Sequence, residues 1–159
     1  MAPAQQRVAV LTKHALTSLT KQALAALLLL AIAPHAASEQ KVVFGEFEVH
    51  YIVLPTTFLR PEVASRYDLI RGRDRAFINI SVLGPDGKPR PAKLAGSSRN
   101  LLEQRQTLAF EEVREGPALY YLAQIRHADE EHHRIEIDII LPDGSTQQLA
   151  LQQKLYWEE

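Results

Sequence analysis

A chain of 159 residues, 46% of them hydrophobic and 23% charged, carries enough apolar side chains for one ordinary core, which excludes a disordered or multi-domain protein. It has no cysteine, so disulfide frameworks, thiol catalysis, thiolate metal sites and a lipid-modified N-terminal cysteine are excluded together. Residues 1–38 hold the bases Arg7, Lys13 and Lys21 and no acid; without them Lys plus Arg falls from 18 to 15 against 19 Asp plus Glu, and a net charge of about −4 disfavours nucleic acid and anionic lipid as partners.

The same 38 residues have the three parts of a secretory signal peptide: a basic region, the apolar run Ala23 to Ala33, and the small residues Ala36, Ala37 and Ser38. The apolar run is eleven residues long, whereas a membrane-crossing helix needs about 20. Cleavage near Ser38 is therefore expected, leaving a single domain over 39–159 with no stable membrane anchor. A cut after Ala33 would place Pro34 where proline resists processing.

In the exported part, Phe47, Val49, Tyr51 and Val53 alternate with Glu46, Glu48 and His50, the pattern of a strand with one dry and one wet face. Pro55 closes it. Pro61 and Glu62 suit the first turn of a short helix, which is too short to persist alone and must pack onto a sheet as a crossover. The basic run Arg71 to Arg75 leads into AFINISVL, residues 76–83, the best candidate for a central strand.

Gly84 to Lys88 form a turn, and Pro89 and Pro91 restrict the next residues to an edge strand or coil. Gly96 to Asn100 have loop composition. Leu108 and Phe110 are out of phase with Val113, which predicts a bulge or a strand end near Glu111 and Glu112. Gly116 and Pro117 make a bend before Ala118 to Ile125; RHADEEHH, residues 126–133, reads as the loop to RIEIDIIL, residues 134–141. Ile135, Ile137, Ile139 and Leu141 there share one dry face. Pro142 to Ser145 turn into a last alternating strand, so the C-terminal part reads as an antiparallel meander.

About seven strands and one short crossover helix predict an all-β, immunoglobulin-like antiparallel β-sandwich, with a small open β-barrel as the alternative. His50 and Tyr51, Thr57 to Leu59 with Pro61 and Glu62, Asn79 to Val82, and Tyr120 with Tyr121 resemble the bacterial secreted proteins of the domain of unknown function 4426 family. The resemblance runs over nearly all of the chain after residue 38. It implies a single domain exported across the inner membrane of a Gram-negative bacterium, hence a periplasmic location, and it implies no activity. Arg71, Arg73 and Arg75 occupy a stretch usually rich in lysine and asparagine in that family, so they inherit no role from it.

Several groups of residues could carry chemistry. His127, His132 and His133, amid Asp129, Glu130 and Glu131, offer imidazole and carboxylate donors for zinc, nickel or cupric ions; the alternative is a solvated hairpin tip. His132 and His133 are neighbours and would point to opposite faces of a strand. His50 beside Glu46 and Glu48 is either one half of an acid–base pair or a histidine on the wet face of a sheet. Thr57 could face an anion between strand and helix or serve as a cap, and Arg71, Arg73 and Arg75 could clamp a carboxylate or phosphate or simply solubilise a strand entrance.

Ser97 and Ser98 lack the strand, sharp turn and helix of a nucleophile elbow. No phosphate-binding glycine loop or dinucleotide fingerprint is present, so no catalytic residue and no cofactor is assigned. The expectation is a non-enzymatic binding or interaction module that recognises a protein or cell-envelope component through a strand edge or loop end. Its alternatives are a divalent-metal binder and a small ligand carrier or enzyme with a site near His50.

Overall fold

The computed structural model describes residues 40–158; the signal peptide expected over 1–38 lies outside them. Among the described residues, nine strands and one short helix succeed one another: β1 (Gln40–Phe44), β2 (Phe47–Pro55), α1 (Pro61–Arg66), β3 (Arg75–Leu83), β4 (Lys93–Asn100), β5 (Arg105–Leu108), β6 (Glu111–Glu115), β7 (Ala118–Arg126), β8 (Glu131–Ile140) and β9 (Thr146–Leu155). A single 3-10 turn, Thr56–Phe58, precedes α1. The strands form two sheets, of five in the order β1-β2-β3-β7-β6 and of four in the order β5-β4-β8-β9. Every pairing is antiparallel. The architecture is an all-β sandwich, and the two separate sheets exclude the barrel alternative.

Period-two alternation puts one face of each sheet in the core. Val49 pairs with Val82, Ile78 with Ala123 and Ile80 with Tyr121 across the five-stranded sheet, and Ile135 and Ile137 pair with Leu151 and Leu149 across the four-stranded one. Ile78, Ile80, Ile125, Ile135, Ile137 and Ile139 are wholly shielded from solvent, each worth roughly 1.5–3 kcal/mol against exposure. β3 is the central strand of its sheet, as its pattern predicts.

Three expectations need correction, and one open alternative is settled. A strand, β1, precedes the one expected to be first. Residues 96–100 are not a loop but the second half of β4, which lies between β5 and β8 rather than at an edge. The bulge offered for the phase break after Phe110 is absent; the strand-end alternative holds, because β5 stops at Leu108 and β6, from Glu111, belongs to the other sheet, so the chain changes layer at Ala109 and Phe110. The meander begins only at β8, because residues 127–130 carry the chain from β7 in one sheet to β8 in the other.

The helix connection runs between neighbouring strands β2 and β3. It is tied to the outer face of the five-stranded sheet by Gln124, whose side chain accepts from the Ile70 amide at 3.1 Å and donates to the Ile70 carbonyl at 2.9 Å. Tyr67 donates to Glu115 on the same side. Phe77 and Leu122 are buried on this outer face, as is Ala64 of α1.

Candidate functional site

Where β7 leaves its sheet and β8 enters the other, the turn after β4 and the C-terminal tail close around a polar cleft of about 500 Å³. Its walls include Asp74, Arg105, Arg126, His127, His133 and Trp157. Two polar networks and one stacked ring build it.

The first network is centred on His133. This residue lies in phase with Ile135, Ile137 and Ile139 and is only 3% exposed, so both ring nitrogens need partners. Nδ1 is 2.6 Å from Oγ of Ser98, which is itself fully buried on β4, and Nε2 is 2.9 Å from Oε2 of Glu131. A carboxylate only accepts, so Nε2 carries the hydrogen; in the neutral ring Nδ1 then accepts from the Ser98 hydroxyl. Glu131 also accepts from the Ala128 amide at 2.8 Å and from Nδ2 of Asn100 at 2.7 Å. Burial alone would raise the Glu131 pKa, but the Ala128 amide, His133 and Asn100 outweigh it and leave the carboxyl below its usual range.

Asn100 connects this network to the tight turn after β4. Its Oδ1 accepts from the amides of Leu102 and Gln104, at 3.0 and 2.9 Å. Ser98, His133 and Glu131 have the residue types of a hydrolytic triad, yet the serine hydroxyl is sealed from solvent and the ring meets it through Nδ1. Their arrangement is a structural brace beneath the cleft.

The second network joins the basic run to the histidine segment. The His127 amide donates to the Asp74 carbonyl at 3.0 Å, and Nδ1 of the buried His127 ring donates to the Ala128 carbonyl at 2.8 Å. Asp74 accepts from Nε of Arg126 at 3.2 Å. At the rim, the Arg73 guanidinium lies 4.3 Å from the centre of the Trp157 ring, and Asp129 holds the Trp157 amide at 3.0 Å. Arg105 lines the same cleft with no ion-pair partner among the described residues.

The structure thus brings some of the candidate residues together and parts others. His127 and His133 share the cleft, while His132 points to the opposite face of β8 and lines a second hollow of about 120 Å³ beside Arg99 and Gln152, which His133 also borders. Among the described residues, no group of three His, Asp or Glu side chains is placed to hold a metal ion. Arg73 is at the cleft rim. Arg71 turns away and donates to the Thr57 carbonyl at 3.0 Å, and Arg75 opens β3 with Asp74 at 4.0 Å.

The Thr57 hydroxyl is buried without a hydrogen-bond partner among the described residues. Neither the 3-10 turn nor α1 has a side-chain cap; the neighbouring Thr56 instead ties down the segment before β3, its hydroxyl meeting the Gly72 amide at 3.1 Å and the Arg75 carbonyl at 3.2 Å. His50 is on the outer face of the five-stranded sheet, 3.1 Å from Glu48, whose carboxyl is held below its usual range by Lys41 and then by His50. Glu48, not Glu46, is its acidic neighbour. Sequence reasoning missed Ser98, Asn100, Arg105 and Trp157; the in-phase placement of His133 was the available signal, since a histidine on a dry face requires polar partners.

Comparison with known proteins is consistent with this fold. The model of the domain of unknown function DUF4426 matches residues 41–158. The crystal structure of a DUF4426 family protein from Pseudomonas aeruginosa PAO1 is 31% identical, with a TM-score of 0.69 over 76% of this chain and 97% of that one. A copper-bound variant of FetP from uropathogenic Escherichia coli strain F11 is 12% identical, with a TM-score of 0.54 over 76% of this chain and 96% of that one. FetP of the same strain as isolated after recombinant expression in the E. coli periplasm is 11% identical, with a TM-score of 0.53 over 77% and 96%. At such identities the FetP likeness is one of fold alone. No curated protein matches. Residues 41–158 carry the family model almost from end to end, and the chain belongs to the DUF4426 family.

Proposed function

We propose that this chain is an exported, non-enzymatic binding domain that grips a carboxylate-bearing group of a protein or envelope component in the cleft between β7 and β8. The observation that carries this reading is Arg105. Arg126 faces Asp74, and the oxygens of Glu131 are committed to His133, Asn100 and the Ala128 amide, so Arg105 lines the cleft as a guanidinium without an ion-pair partner among the described residues. A guanidinium without a partner offers a planar fork of donors that matches a carboxylate. Trp157 supplies an apolar wall for whatever carries it.

Support for export comes from the leader pattern of residues 1–38. The copper of the FetP variant belongs to that protein; here the donor groups of the cleft are engaged with one another, which favours an organic anion over a cation.

The test is fluorescence anisotropy with labelled short peptides, each in two forms, one with a free C-terminal carboxylate and one amidated. Binding of the free forms is expected, with Arg105→Ala weakening it about tenfold or more, the loss of one charge-assisted hydrogen bond. Equal binding of amidated and free forms, no binding of either, or indifference to Arg105→Ala overturns the reading.

A further inference from the structure

Three of the four sheet edges carry charges that discourage pairing with another strand. β1 has Lys41, β5 has Arg105, and β6 is Glu-Glu-Val-Arg-Glu. The fourth edge, β9, is different. It is ten residues long, pairs with β8 on one side and with no described strand on the other, and has no charged residue from Thr146 to Gln153.

Its sequence is also symmetric. Gln147-Gln148-Leu149-Ala150-Leu151-Gln152-Gln153 reads the same in both directions about Ala150. Two copies of a strand related by a two-fold axis run antiparallel, so each residue meets its mirror position in the partner. With the axis at Ala150, leucine meets leucine and glutamine meets glutamine. Leu149 and Leu151 are buried and on the core face, whereas Gln148, Ala150 and Gln152 are exposed on the outer face. The apolar pairs would thus extend the core across the junction and the amides would pair above it, with Lys154 opposite an uncharged Thr146.

We propose that β9 pairs with β9 of a second copy of this chain about Ala150, joining two four-stranded sheets into one of eight. An edge so self-complementary, in a domain whose other edges are charged, fits another copy of itself better than an unrelated strand. The inference is independent of the cleft.

Cross-strand neighbours on β8 allow a test that spares the fold. Ala150 faces Glu136, Gln148 faces Asp138 and Gln152 faces Arg134, so Ala150→Lys and the pair Gln148→Lys with Gln152→Glu each gain an opposite charge within the monomer. Sedimentation equilibrium of the purified chain is expected to show a dimer at micromolar concentration. Ala150→Lys sets two ammonium groups against each other on the axis and should weaken the dimer about five- to tenfold, without lowering the melting temperature measured at a dilution where both chains are monomeric. Gln148→Lys with Gln152→Glu puts opposite charges across the junction and should hold the dimer at least as tightly as the native chain, while Gln148→Lys with Gln152→Lys should loosen it. A native chain that stays monomeric, or equal association of the two Gln148→Lys pairs, overturns the inference.

Discussion

His133 occupies a position that its strand otherwise gives to isoleucine, and the fold accommodates it by supplying one acceptor and one hydroxyl at the two ring nitrogens. The carboxylate partner matters more than the hydroxyl because Glu131 joins three donors from three separate segments: β8 itself, the β7–β8 connection and the end of β4. Glu131→Gln should cost about 1–3 kcal/mol at neutral pH, since it leaves a buried donor poorly matched. The carboxyl is held below its ordinary value of 4.5, so its ionised form contributes stability above that range and loses the contribution as pH falls through the lower folded value. Thermal melts of both chains over a series of acidic buffers should therefore converge as the pH drops. A difference that stayed constant with pH would mean that charge plays no part. The buried state of His133 was legible in its phase with Ile135, Ile137 and Ile139; the identity of its partners was not, because Ser98 and Glu131 meet it through strand register.

At the scale of elements, β4 shows how composition can conceal a strand. Gly96-Ser97-Ser98-Arg99-Asn100 consists of residues that favour turns when nothing constrains them, yet here small side chains are what the packing requires. A Cβ on Gly96 would lie 2.8 Å from the Glu136 carbonyl oxygen and 3.1 Å from the Ile137 side chain, so any larger residue must push β4 away from β8. Gly96→Ala is expected to destabilise the fold by roughly 1–3 kcal/mol, measured by urea denaturation; an unchanged midpoint would show that the strand pair yields freely. The change of layer between β5 and β6 was half legible: the break in alternation was visible in Leu108, Phe110 and Val113, but a phase shift alone does not distinguish a bulge from a departure to another sheet. α1 was the easier element, because Pro61 and Glu62 mark its first turn directly.

For the whole molecule, alternation discloses which residues face a core but not which sheet a strand joins. β7 and β8 have the look of a hairpin, and only tertiary pairing shows that β7 lies beside β3 and β6 while β8 lies beside β4 and β9. The cleft arises from that crossing, assembled from residues as far apart as Asp74 and Trp157, which explains why the histidine cluster was visible in the chain and Arg105 was not. Trp157 is the only tryptophan, and it stands at the rim of this cleft beneath Arg73. All indole emission therefore originates at one address, so the protein carries its own optical gauge of occupancy there. Addition of a free-carboxylate peptide should shift the emission spectrum and its amidated twin should not, whereas dissociation of a β9-linked dimer should leave the signal where it was.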